Sequence, residues 1–310
     1  MTANNQDEIN LLDLFNAFWR AKWFIIGFTA LFAFGAVLFA LNLPNIYRSD
    51  TLLAPVSSKQ QVGAGALGQL GGLASLAGVS LGSQEGDKVA LALEILRSRD
   101  FLGRFIEQHD LYVPIMAAKG WDLNQNTLII DHRIYDDSQE NWVRKVKPPR
   151  QPKPSVQEAY EAFRQLLNVR QSKENGMVTV SLDFYSPTLA QQWLMLLITE
   201  LNDHMKERDM LSAQRSLKYL EQQLQKTPLE EVRRALYQLI EEQTKTLMLT
   251  QVTDEYVFKI IDPPIISEVK SKPNRALICI IGTIFGGFFA CLLVMIRFLL
   301  HPTRPTSSSS

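Results

Sequence analysis

The chain has 310 residues, 46% of them hydrophobic, with 32 basic side chains against 32 acidic ones. That length allows one large domain or two ordinary ones, and the zero formal net charge gives no reason to expect a nucleic acid partner. Cys279 and Cys291 share one apolar run, so the rest of the chain holds neither a disulfide nor a cysteine nucleophile; His109, His132, His204 and His301 are scattered outside any metal-ligand spacing, and no metal or cofactor is implied.

In chain order, the first strong signal is Trp23 to Leu43 (WFIIGFTALFAFGAVLFALNL), within a stretch free of charge from Lys22 to Arg48. Its counterpart is Ala276 to Ile296 (ALICIIGTIFGGFFACLLVMI). As helices each spans roughly 32 Å, enough for a hydrocarbon layer about 30 Å thick. A cleaved signal is the competing reading of the first run. It requires a shorter apolar region and a small-x-small site, whereas this run ends LFALNLP behind Asp7, Glu8 and Asp13. Two spans put both termini on one side and residues 44–275 on the other. Charge does not choose the side: Arg20, Lys22, Arg297 and Arg304 flank the outer ends, and Arg48, Lys270, Lys272 and Arg275 flank the middle domain.

The middle domain opens with Tyr47 to Val56, extended until Pro55 interferes. Eight of the 16 glycines then fall between Gly63 and Gly86. GAGALG fits the dinucleotide pattern G-x-G-x-x-G and GVSLG the nucleophile elbow G-x-S-x-G. Neither has its context: Pro55 and seven further residues separate the strand from Gly63, no alternating βα units follow, and GGLASLAGV before Ser80 is a poor central strand. No lysine follows the glycines, which excludes a P-loop. What remains is a glycine-loosened apolar strip, Leu67, Leu70, Leu73, Leu76, Val79 and Leu81, suited to a membrane surface or a subunit contact.

Asp87 to Asp110 has helical periodicity, with Asp87 as a candidate cap, and predicts one or two helices. Gly120 to Pro154 shows little pattern and ends in WVRKVKPPRQPKPS. Its cations Arg144, Lys145, Lys147, Arg150 and Lys153 read as an extended, solvated connector, or as a contact for lipid headgroups or an anionic saccharide. Val156 to Leu167 is a helix. Asn175-Gly176 predicts a tight turn into MVTVSLDFY, whose alternation predicts a half-buried strand. Ser186-Pro187 starts a helix of about 40 residues. Leu194, Leu197, Leu201 and Met205 make one seam in it, and Leu217, Leu220 and Leu224 a second. Thr227-Pro228-Leu229-Glu230 reads as a capping box that restarts a helix carrying Leu229, Val232, Leu236, Leu239 and Leu247. The two helices can pair with each other as a hairpin, near residues 187–250, and still leave a face for a neighbour. Tyr256, Phe258 and Ile260 alternate as a last strand, ending at Asp262-Pro263-Pro264.

Together these stretches resemble the Wzz-type polysaccharide chain-length determinants, or polysaccharide co-polymerases. The resemblance rests on INLLDLFNAFWRAKWFIIG, YRSDTLLAP, GQLGGLASLAG, ALEILRSRDFLGRFI, EYVFKIIDPP and KPNRALICIIGTIFGG, in that order around two terminal spans. It implies an α+β periplasmic domain with a long protruding helix, anchored by two terminal transmembrane helices in the bacterial inner membrane, with residues 1–22 and 297–310 cytoplasmic. It also implies a non-enzymatic homo-oligomeric ring, without a cofactor, that sets the modal length of O-antigen or a related glycan made by a Wzy-type polymerase from lipid-linked glycan. Some relatives fuse to or partner with a tyrosine kinase; the tail here has no Walker motif and no tyrosine, so that branch is not indicated. Gly282, Gly286 and Gly287 are candidates for close membrane-helix packing, against ordinary glycine in a membrane helix. Leu217, Leu220 and Leu224 are candidates for an oligomer or polymerase contact. Arg144, Lys145, Lys147 and Arg150 are candidates for glycan or headgroup contact. A membrane-anchored periplasmic sensor or scaffold shares the topology and is the alternative.

Overall fold

The computed structural model describes residues 19–56 and 83–300. The glycine-rich stretch Gly63–Gly82, with both its motif readings and its apolar strip, lies outside the described residues. The chain divides into two units, residues 1–45 with 272–310, and residues 46–271.

The first unit pairs α1 (Lys22–Asn42) with α8 (Arg275–Leu300). Both are long and apolar enough to cross a membrane, with mean hydropathies of 2.5 and 2.6 in their most apolar windows. Most of their large side chains, among them Phe24, Phe34, Phe39, Ile284 and Phe288, are exposed. Helices satisfy their own backbone bonds, so such a surface suits lipid and not water. The Arg275 guanidinium reaches the Leu43 carbonyl (3.5 Å) and Asn45 Oδ1 (3.2 Å), joining the residues just after α1 to the first residue of α8.

The second unit is built on an antiparallel sheet in the order β6 (Leu167–Gln171), β7 (Val178–Phe184), β1 (Ile46–Pro55), β8 (Phe258–Asp262). A short strand, β9 (Lys270–Lys272), also pairs with β1. Thr51 stands opposite Val180, and Leu53 opposite Val178 and Ile260, so one face gathers Leu53, Val178, Val180 and Leu182. Against that core pack α2 (Ser83–Arg97), α3 (Arg99–Gln108), α5 (Val156–Leu166) and the first half of α6 (Pro187–Lys226). Phe105, Phe163, Leu194, Leu197, Leu201 and Phe258 are its largest fully enclosed members. Gly103 lets α3 meet α5: a Cβ there would stand 2.8 Å from Val156 Cγ1.

Local sequence explains most boundaries. Ser98 caps α3 by accepting from the Phe101 amide, dividing the periodic run into two helices, although the first begins at Ser83 and encloses Asp87 instead of being capped by it. Ser155 and Glu158 form a reciprocal capping box at α5. Gly176, at φ +69°, carries the turn between β6 and β7 where a side chain would be strained. Ser186 accepts from the Leu189 amide, with Pro187 opening α6.

Three expectations need correction. β7 is covered on both faces: besides its four core residues, Ser181 and Asp183 are each only 9% exposed. The strand lies between β6 and β1, and Arg48 closes over Asp183 with bonds of 2.7 and 2.9 Å. The capping box at Thr227 does not form. Its hydroxyl turns back to donate to the Gln223 carbonyl (2.7 Å), ending α6, while α7 (Glu230–Val252) starts without a side-chain cap. The stretch from Gly120 to Pro154 holds small ribbons, β2 (Ala118–Asp122) with β3 (Thr127–Ile130) and β4 (Tyr135–Asp136) with β5 (Asn141–Trp142), after a short helix α4 (Tyr112–Ala117). Positive φ at Asn126 and Glu140 turns their corners, a signal spread too thinly to show as periodicity.

Candidate functional site

Three regions gather the residues to which function can be assigned: the membrane-helix pair, the helical hairpin and the basic connector. In the helix pair, α8 turns its glycines toward α1. A Cβ at Gly282 would stand 2.5 Å from the Ala36 Cβ, and one at Gly286 would stand 2.5 Å from the Phe32 Cβ and 3.4 Å from the Thr29 Cα. Gly287 is looser, with Thr29 Oγ1 at 3.7 Å. Lipid supplies no hydrophobic drive for helix association, so dispersion contacts made by close backbone approach take its place. Phe32 and Phe289 stack beside this contact, ring centres 6.5 Å apart. These glycines thus pack a pair within one chain.

The hairpin consists of α6 and α7. Trp193, Leu194, Leu197, Ile198, Leu201 and Met205 are buried in the core, but past Ala213 no residue of α6 is. There the helix leaves the core and α7 packs alongside it. Leu217, Leu220 and Leu224 are half-buried, as are Leu236, Ile240 and Leu247 of α7. Both sets recur at helical spacing and make the seam between the helices. Outside that seam Leu211, Tyr219, Tyr237, Leu239 and Met248 are exposed.

The hairpin's root is tied by polar groups that sequence reasoning missed. Asn202 is buried and fully used: its carboxamide nitrogen donates to the Phe258 carbonyl (2.9 Å) and its oxygen accepts from the Val257 (2.9 Å) and Phe258 (3.0 Å) amides. The Tyr256 hydroxyl donates to Asp209 Oδ2 (2.8 Å), and Lys88 Nζ lies 3.1 Å from the same oxygen and 3.6 Å over the Tyr256 ring. Burial, then the Asp209 carboxylate, holds the Tyr256 hydroxyl far above its ordinary value, so it stays a donor. Helix α2, helix α6 and the strand returning from α7 therefore meet at one knot. The only local signal was Asn202 itself, an amide beside the apolar stripe of α6.

The basic connector is partly committed. Arg144 donates to Glu158, to the Pro152 carbonyl (2.6 Å) and to the Gln151 carbonyl (3.0 Å), which folds the connector back on the start of α5. It is therefore not the extended, solvated segment its composition suggests. Arg150 Nε lies 3.1 Å from Glu158 Oε1 with its side chain largely in solvent, and Lys145 and Lys147 are exposed. Burial alone would raise the Glu158 carboxyl; the Arg144 bond and charge, the Ser155 amide and Arg150 outweigh it and lower it below 4.5. Among the described residues no cluster could hold a metal ion.

The family model for the chain length determinant protein Wzz matches residues 7–109, from ahead of α1 through α3. Over those residues the chain is similar to the Wzz chain length determinants. The model for GNVR, the G-rich domain on putative tyrosine kinases, matches residues 222–299, from the end of α6 into α8. Among curated proteins, this chain is 33% identical over 127 residues to tyrosine-protein kinase etk of Escherichia coli K12, and equally to etk of strains O127:H6 and O157:H7. That alignment covers 38% of this chain and 16% of the relatives' length. Among solved structures, a full-length bacterial polysaccharide co-polymerase aligns over 96% of this chain and 100% of its own at 13% identity, with a TM-score of 0.39. A fragment of WzzB, the polysaccharide co-polymerase of Salmonella Typhimurium, aligns over 74% of this chain and 100% of its own at 12% identity, with a TM-score of 0.34.

Proposed function

We propose that this chain regulates, without catalysing a reaction, the modal length of O-antigen or a related surface polysaccharide made by a Wzy-type polymerase. The Wzz match across α1, β1 and α3 carries this reading. In the same reading the chain is a homo-oligomer of the bacterial inner membrane, with both termini cytoplasmic and residues 44–275 periplasmic. The hairpin supports it physically. A rod whose inner seam is filled by its own leucines leaves Leu211, Tyr219, Tyr237, Leu239 and Met248 exposed, available to another subunit or the polymerase. A ring of such rods holds several polymerase or glycan contacts at once, so length follows from assembly geometry and avidity. Exposure of the connector cations Lys145, Lys147 and Arg150 supports their contact with an anionic saccharide or headgroup. Deleting the gene and resolving lipopolysaccharide on gels tests the reading: loss of a modal cluster of bands is expected, and unchanged banding contradicts it.

The GNVR match and the likeness to etk favour a second reading, in which the chain works beside a tyrosine kinase. Phosphotyrosine on membrane proteins would then fall in the deletion strain, and an unchanged phosphotyrosine pattern contradicts it.

A further inference from the structure

Within the α+β unit, two segments remote in sequence are fastened to the first four residues of β1. Trp121, in β2, meets the Tyr47 ring edge-on at 5.6 Å, and Ser49 donates to the Ile265 carbonyl at 2.8 Å. Each segment bears apolar side chains that the described chain leaves uncovered. Leu123, in the turn between β2 and β3, is 71% exposed, and Ile265, Ile266 and Val269 are 66%, 53% and 74% exposed. Both segments are hydrogen-bonded and not frayed ends. Asp122 Oδ1 accepts from the Asn124 amide (2.8 Å), Trp121 Nε1 donates to Asn126 Oδ1 (3.1 Å), and Ser267 Oγ donates to the Val269 carbonyl (2.8 Å). Branched apolar side chains held outward by an ordered backbone mark a contact surface.

Chain connectivity limits what can cover it. Tyr47 follows Asn42, the last residue of α1, by five residues, at most about 18 Å of extended chain. Val269 precedes Arg275, the first residue of α8, by six, at most about 22 Å. Where α1 and α8 span a bilayer, the patch is tethered from two directions beside its surface. The chemistry fits that surface. Tyr and Trp favour the membrane–water boundary, each with an apolar body and a polar tip. After Asp262 the chain up to Arg275 carries one acid, Glu268, against Lys270, Lys272 and Arg275, a balance that anionic headgroups attract.

We propose that Trp121, Leu123, Ile265, Ile266 and Val269 form a lipid-contacting rim that seats the α+β unit on the bilayer crossed by its own helices. The inference rests on the reading of α1 and α8 as membrane spans. Seating on two separate segments, β2–β3 and the chain after β8, resists tilting of the sheet that carries α6. The orientation of the hairpin would then be set at the membrane surface and not by the tethers alone.

Nitroxide labels on the full chain test this in vesicles of phosphatidylethanolamine and phosphatidylglycerol. Single cysteines replace Leu123, Ile266, Leu229 or Ile284 on a Cys279→Ala/Cys291→Ala background, and relaxation by oxygen is compared with relaxation by a water-soluble nickel chelate. The rim predicts an oxygen-to-nickel ratio at positions 123 and 266 several-fold above that at 229, at the hairpin tip, and approaching that at 284, within α8. A ratio at 266 equal to that at 229, while 284 stays oxygen-rich, places the patch in water and overturns the rim alone. Low access of both reagents at 266 means that a second copy of the chain covers it, which also overturns the proposal. A nickel-accessible 284 removes the membrane reading, and the rim with it.

Discussion

Asn202 satisfies three backbone groups in a site closed to water, so its loss strands two amides and a carbonyl at once. Asn202→Ala should lower the stability of the α+β unit by about 1–3 kcal/mol, read as a shift of the unfolding midpoint of the full chain in detergent. Sequence reasoning missed the residue because its partners lie 55 and 56 residues away and are specified only once β8 has docked. Glu158 gives a prediction in pH. Its folded value lies below the ordinary 4.5, so its stabilisation is fully present above 4.5 and is lost as pH falls through the folded value. The stability gap between the wild type and Glu158→Gln should therefore be open at neutral pH and close in acid below 4.5; a gap that widens on acidification contradicts the assignment. The glycines of α8 separate by geometry. Gly282→Ala and Gly286→Ala each force a 2.5 Å contact and should loosen α1 from α8, whereas Gly287→Ala has room. Disulfide crosslinking between cysteines placed in α1 and α8 would fall in the first two variants and hold in the third.

At the scale of elements, the hairpin divides apolar residues by role. Leu217→Asp with Leu220→Asp puts charge into the seam between α6 and α7. It should open the hairpin within one chain, seen as protease cleavage near residues 226–230. Tyr219→Asp with Leu239→Asp alters the exposed face and should leave proteolysis unchanged while weakening association between chains, seen by crosslinking. The start of α6 was legible because Ser186, Pro187 and its first seam are local and agree with one another. The cap of the next helix was misread because Thr227 had two acceptable partners, and the Gln223 carbonyl of the finishing helix won over the amide of the next. β7 was legible as a strand from its alternation. That its polar face is also closed depends on Arg48, 135 residues away, which no local pattern encodes.

For the whole molecule, two helices long and apolar enough to cross a membrane flank the α+β unit in the chain, one at each end. The spans were evident from composition because lipid demands an unbroken apolar run. The Gly282 and Gly286 spacing is visible in the sequence, but what stands against it, Ala36 and Phe32, comes from the helix at the other end of the chain. The central claim is that assembly through the hairpin sets polysaccharide length. The measurement that tests it most directly is the lipopolysaccharide ladder of the deletion strain carrying either the wild-type chain or Tyr219→Asp/Leu239→Asp, with in-cell crosslinking of both. Restored modal banding with the wild type, and a shifted or lost mode wherever crosslinked oligomers are lost, is the predicted result. Wild-type banding from a variant that no longer forms oligomers would contradict it.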